Sequence, residues 1–138
     1  MILTDANLWV SLHDTADALH PESLLFFQRI MQDSTPLQAP ALLLVEVSCA
    51  LSRNSRNEQV GRAFAAKMRT LPQLSLIPLD APFIAEAIEC GTKLFLRAAD
   101  AFYAAAAERT GSQLVTWDAE LIQRANGITP TDWLAANP

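Results

Sequence analysis

The stretch AADAFYAAAAERTGSQLVTWDAEL, residues 98–121, carries the most specific pattern in the chain. Its first half is so rich in alanine that it predicts a helix over Ala98–Thr110, with Gly111 as the expected C-terminal stop. QLVT, residues 113–116, then reads as a short apolar strand, and Asp118 as the N-cap of a further helix over 119–125 that Asn126–Gly127 closes. A helix, a glycine stop, a strand and a capped helix in that order form the repeating unit of a parallel sheet covered by helices.

Working outward, the same alternation continues in both directions. Strands are predicted at Ile2–Thr4, 37–39, 74–78 and 128–129. Helices are predicted from Pro21 through Ile30, over 41–52, 57–71 and Ala81–Leu94, and again over 132–136. No repeat, low-complexity tract or Gly/Ser linker divides the chain, and its eight prolines fall between patterned segments. The expected architecture is α/β: a short, mostly parallel central sheet flanked by helices in three layers, as one domain over 1–138. In such folds sites gather outside the carboxyl ends of the strands.

Composition excludes several classes. A 138-residue domain buries about 68–70% of its unfolded surface, enough for a core without disulfide or structural metal. With 51% hydrophobic and 18% charged residues the chain is not disordered. No apolar run approaches the roughly 18 residues of a membrane span, and the start MILTDANLWV lacks a basic region, so a soluble, cytoplasmic protein is expected. Cys49 and Cys90 stand singly in apolar helical contexts and read as buried free thiols. His13 and His20 have no partners at zinc-ligand spacing and read as surface residues.

A net charge of −5 argues against a nucleic-acid partner only as a total. Residues 53–69 hold five of the ten basic side chains (Arg53, Arg56, Arg62, Lys67, Arg69) and one acid, Glu58, so that segment carries +4 and the remainder −9. The segment is either a solvated helical face or a contact surface.

Four acids stand where apolar or neutral residues surround them. Glu46 interrupts ALLLVEVSCAL and at helical spacing shares a stripe with Leu42, Cys49 and Ala50, which otherwise points at the core. A carboxylate there calls for a cation, unless it lies at an exposed helix edge. Asp100 opens the Ala-rich helix, where the dipole favours an acid. Asp118 follows LVT as a cap, and Asp5 follows MILT as a turn residue closing the first strand. Each has that local explanation, yet a parallel sheet would bring all four to one rim. Carboxylates so gathered either rise in pKa or are neutralised by a divalent ion. An all-oxygen set suits Mg²⁺ or Mn²⁺, which keep several waters and bridge to phosphate.

On these stretches, TDANLWVSL with Asp5 and Asn7, ALLLVEVSCAL with Glu46, and 98–121 with Asp100, Thr116 and Asp118, the chain resembles PIN-domain endoribonucleases, most of all the VapC-type toxins of bacterial toxin–antitoxin pairs. The resemblance spans the chain from first strand to last helices. It implies a PIN-like fold and metal-assisted hydrolysis of RNA phosphodiester bonds. It also implies that Asp5, Glu46, Asp100 and Asp118 are both catalytic and ligands of Mg²⁺ or Mn²⁺, with Asn7 and Thr116 supporting them by hydrogen bonds. The implied partners are RNA, a VapB-type antitoxin masking the acidic site, and a second copy in a homodimer. Residues 53–71 then become a projecting helical arm whose five basic side chains contact RNA or a partner. Trp117 departs from the pattern, standing inside LVTxD where many relatives carry a polar or basic residue; it either stacks on a base or covers a helix end. Glu120, two residues past Asp118, is read as solvated.

Other classes are weighed against this one. A receiver domain wants paired acids after the first strand and a late lysine, and TDAN and LVTWD supply neither. A haloacid-dehalogenase-type phosphatase wants an Asp where Asn7 stands. A PIN-like module that binds RNA or a partner without cutting remains the alternative, and the complete set of four acids argues for activity.

Overall fold

Strands of three or four residues are not stable alone, and the chain gathers its four into one sheet whose members are shielded by helices. The computed structural model describes residues 1–138. Its elements run β1 (Ile2–Thr4), α1 (Ala6–His13), α2 (His20–Gln32), β2 (Leu37–Pro40), α3 (Leu42–Ser55), α4 (Glu58–Arg69), β3 (Leu74–Ile77), α5 (Ala81–Leu94), α6 (Ala98–Thr110), β4 (Gln113–Val115), α7 (Ala119–Arg124) and α8 (Pro130–Ala136). The sheet order is β3-β2-β1-β4 and every pairing is parallel, with Ile2 opposite Leu37 on one side and Gln113 on the other. The chain steps outward from β1 to β3 and then returns to place β4 beside β1. The order therefore reverses at the β1/β4 seam, where an open α/β sheet leaves a crevice at its carboxyl edge.

The helix α6 lies across β1, β2 and β4 with α5 behind it. Its buried Ala101, Ala104, Ala105 and Ala106 let the backbone come close to its neighbours on both sides. A Cβ added at Gly91 of α5 would stand 2.6 Å from that of Ala101, which measures how closely the pair is seated. On the other side α1 packs against α2 and α3, with Trp9, Phe26, Ile30 and Leu43 buried between them. The helices α3 and α4 form a tight hairpin: Ser52 Oγ accepts from the Gly61 N–H at 3.0 Å, and Phe64 sets its ring against Trp9 and His13.

The alternation of elements is as the sequence predicts, with four differences. The helix α1 has no counterpart among the predicted elements; it is only eight residues long and its cap is Asp5, which reads equally well as a turn. Residues 128–129 form no strand, only a single bridge from Ile128 to Val115. The core stripe of α3 is Leu43, Val47 and Leu51, one position on from the expected Leu42 and Cys49, so Glu46 flanks the core face. For the same reason Cys49 is exposed, while Cys90 is buried as expected.

Candidate active site

The carboxyl end of β1 carries the first acid. Thr4 is fully buried and its hydroxyl accepts from the Trp9 indole at 2.9 Å, which locks the start of α1 onto the strand. Asp5 follows at 3% exposure. Its Oδ1 accepts from the Leu8 N–H at 3.3 Å as N-cap of α1, and its Oδ2 accepts from the Thr116 hydroxyl at 2.6 Å across the β1/β4 seam. Burial pushes the Asp5 carboxyl up to about 7 although both hydrogen bonds favour its ionised form; the charges of Asp118 and Asp100 push the same way as burial.

Beside it, Asp118 leaves β4 and caps α7, its Oδ1 accepting from the N–H groups of Glu120 at 2.8 Å and Leu121 at 3.2 Å. Thr116 Oγ1 in turn accepts from the Asp118 N–H at 2.8 Å. The remaining oxygen of Asp118, Oδ2, accepts from Arg97 Nη2 at 2.8 Å, and the Nε of the same guanidinium reaches Asp100 Oδ2 at 3.0 Å. Burial raises the Asp100 carboxyl, Arg97 pulls against that, and Asp118 adds to it.

Glu46, in the second turn of α3, is half-buried and accepts from the Tyr103 hydroxyl. Tyr103 is 1% exposed, so this neutral donor satisfies the carboxylate from inside the core. Burial raises the Glu46 carboxyl, tempered by Tyr103 and reinforced by Asp100. The charge of Asp100 is thus felt at both Asp5 and Glu46, and that of Asp118 at Asp5.

The remaining residues singled out in the sequence divide clearly. Thr116 is buried and bonded to Asp5, whereas Asn7 is exposed on α1 and makes no side-chain hydrogen bond to the acids. Trp117 is no free stacking platform: its indole N–H donates to Ser23 Oγ at 2.8 Å, tying the exit of β4 to α2. Nor is Glu120 merely solvated, since it lies 3.7 Å from Arg97 and 3.5 Å from Arg124. Arg53, Arg56, Arg62, Lys67 and Arg69 are all exposed, and of these only Arg62 has an ion-pair partner, Glu58 at 3.6 Å. Arg97 was missed. The sequence signal for it was an Arg three residues before an Asp at a helix start.

As the side chains stand, no three His, Cys, Asp or Glu residues converge closely enough to cage an ion. The donor set nevertheless fits a hard cation: every candidate ligand is an oxygen, and Asp100 and Asp118 already share one positive group. A cavity of about 680 Å³ lies elsewhere, beside Met1, Lys93, Gln113 and Asn126 at the opposite ends of β1 and β4.

Comparison with known proteins agrees with this fold. The PIN domain family model matches residues 2–127. No curated protein matches the chain. Among solved structures, the chain is similar to Mycobacterium tuberculosis VapC20, described as a sarcin-ricin loop cleaving toxin, at 20% identity and a TM-score of 0.73 over 89% of this chain and 94% of that one. It is similar to a toxin-antitoxin complex from Klebsiella pneumoniae at 16% identity and a TM-score of 0.68, covering 94% and 98% of the two chains. A third is VapBC2 from Rickettsia felis bound to a DNA fragment from their promoter, at 17% identity and a TM-score of 0.68 over 94% and 97%. At these identities the likeness establishes a shared fold.

Proposed function

The chain belongs to the PIN-domain family, and from that premise we propose that it is a Mg²⁺- or Mn²⁺-dependent endoribonuclease, the toxin of a VapBC-type toxin–antitoxin pair. The observation that supports the reading is Asp5, buried at the seam where strand order reverses and raised in pKa by burial and by the charges of Asp118 and Asp100, with Asp100 acting on Glu46 as well. Likeness to a cleaving toxin and to toxin–antitoxin complexes supports both the chemistry and the partner.

In this reading Asp5, Glu46, Asp100 and Asp118 hold the ion. When bound, it supplies an activated water and stabilises charge developing at phosphorus and on the leaving oxygen. The protein's own contribution is orientation. Tyr103 holds Glu46 Oε2, while the cap of α7 holds Asp118 Oδ1 and leaves Oδ2 to Arg97. Thr116 fixes Asp5 and Asp118 relative to each other. Asp5, whose carboxyl burial raises to about 7, would have to be ionised to hold a cation.

The single domain 1–138 presents 53–71 as the surface on which Arg53, Arg56, Arg62, Lys67 and Arg69 meet RNA backbone or the antitoxin. A homodimer acting in the cytoplasm completes the proposal. The direct test is cleavage of RNA by the purified protein with Mg²⁺ or Mn²⁺. Activity is expected to vanish in excess EDTA and in Asp5→Asn; full activity in either would overturn the reading.

A further inference from the structure

Arg97 occupies a position that local structure does not favour. It is the N-cap residue of α6 and makes no capping bond, so its positive charge sits at the positive end of the helix dipole. The backbone before it is also constrained. Phe95 adopts the left-handed conformation at φ +57°, unusual for a bulky side chain, and is 82% exposed. Its carbonyl accepts from Arg124 Nη1 at 2.6 Å. Arg124 belongs to α7, the helix that Asp118 caps, so the connector carrying Arg97 is pinned to the element carrying one of its partners.

The guanidinium fork uses two of its nitrogens on two acids from different elements. A bond to Asp100 alone, three residues on, would be an ordinary helix-end pair. The bond to Asp118, 21 residues on, brings the two acids around one positive centre. Arg97 approaches from solvent: its side chain is 68% exposed, while those of Asp100 and Asp118 are 13% exposed. It can therefore withdraw without opening the core.

We propose that Arg97 is a tethered counter-cation, holding Asp100 and Asp118 together in the metal-free protein and giving way when a divalent ion takes the same oxygens. The proposal rests on the reading of the four acids as the metal-holding set. Arg97 is then a positioning residue that sets metal affinity: it keeps the acids from repelling one another before the ion arrives, and it competes with the ion for Asp118 Oδ2 and Asp100 Oδ2. Once displaced, it remains tethered at the rim of the site.

The test is calorimetric titration of the whole chain with Mn²⁺, paired with thermal melts in EDTA and in saturating Mn²⁺. Arg97→Gln is expected to bind Mn²⁺ roughly tenfold more tightly, because the competing guanidinium charge is gone. It should melt below the parent protein in EDTA and level with it in saturating Mn²⁺, because the contact it lacks is absent from the loaded state of both. Arg97→Lys, whose ammonium is a point charge without the fork, should fall between them and guards against a poorly folded Gln variant. Mn²⁺ affinity in both variants equal to or weaker than the parent's, with an equal melting deficit in EDTA and Mn²⁺, would make Arg97 merely structural and overturn the proposal. If Asp118→Asn meanwhile abolishes Mn²⁺ binding, the metal reading survives that failure. Absence of Mn²⁺ binding by the parent chain would remove both.

Discussion

Thr116 Oγ1 donates a 2.6 Å hydrogen bond to Asp5 Oδ2 and accepts one at 2.8 Å from the N–H of Asp118, so a single buried hydroxyl sets the spacing of two acids on adjacent strands. The two residues of the first bond lie 111 positions apart in the chain and meet because β4 returns to the side of β1. Nothing smaller than a hydroxyl at this point serves both neighbours.

Thr116→Val keeps the shape and removes the hydroxyl. It leaves Asp5 Oδ2 and the Asp118 N–H without partners in a closed environment, which costs about 1–3 kcal/mol. Denaturant unfolding near neutral pH should show that loss, and Thr116→Ser should recover most of it. A Val variant as stable as the parent protein would mean that the hydroxyl does not couple the acids.

The pH dependence of the metal-free protein follows from Asp5. Its folded carboxyl is raised to about 7 from an ordinary 3.8, so between those values the folded state holds more protons than the unfolded state. The stability Asp5 contributes is therefore full below about pH 4 and is lost as pH rises through 7. Glu46 and Asp100 are shifted in the same direction and add to the trend. In EDTA, denaturation midpoints measured from pH 5 to pH 8 should fall, and Asp5→Asn should flatten the curve. Adding Mn²⁺ should stabilise the protein more at pH 8 than at pH 6, because ligands must be deprotonated to bind it. A midpoint that rises with pH in EDTA would contradict the assignment.

Gly61 decides whether the α3/α4 hairpin closes. A Cβ there would lie 2.0 Å from the Ser48 carbonyl and 2.4 Å from Ser52 Oγ, and the carbonyl belongs to rigid helix backbone. Gly61→Ala gains up to about 1 kcal/mol in helix propensity, but separating the helices costs about 1–3 kcal/mol. Unfolding experiments should show a net loss, and hydrogen exchange should place the weakened protection in α3 and α4. Unchanged protection there would show that the hairpin tolerates the added methyl group.

Induced expression of the chain alone is expected to arrest bacterial growth. Asp100→Ala should relieve the arrest, since it removes the acid whose charge reaches Asp5 and Glu46 and which shares Arg97 with Asp118. Growth curves in a host without an antitoxin check this. Equal growth of both strains would count against the toxin reading.

Much of the fold was legible because its signals are local. The Ala-rich run and Gly111 bound α6, Pro and Asp mark the start of α5, and short apolar runs mark the strands. The helix α1 escaped because Asp5 serves as both strand end and cap, and the face of α3 was displaced by one residue because both neighbouring stripes are apolar. The four acids stood out for a similarly local reason, as carboxylates in sequence that offers them few polar neighbours.

Most of the succession of strands and helices, the family, and which carboxylates stand apart from their surroundings are therefore readable in the amino-acid sequence. The partner of each carboxylate emerges only from the tertiary fold, Thr116 for Asp5, Tyr103 for Glu46 and Arg97 for Asp100 and Asp118, as does Ser23 for the Trp117 indole. Hydrophobic periods and caps act over a few residues of backbone, whereas most of these partners are brought together by the strand order β3-β2-β1-β4 and the helices packed on it. Whether a buried carboxylate meets a hydroxyl, a phenol or a guanidinium depends on which strands become neighbours.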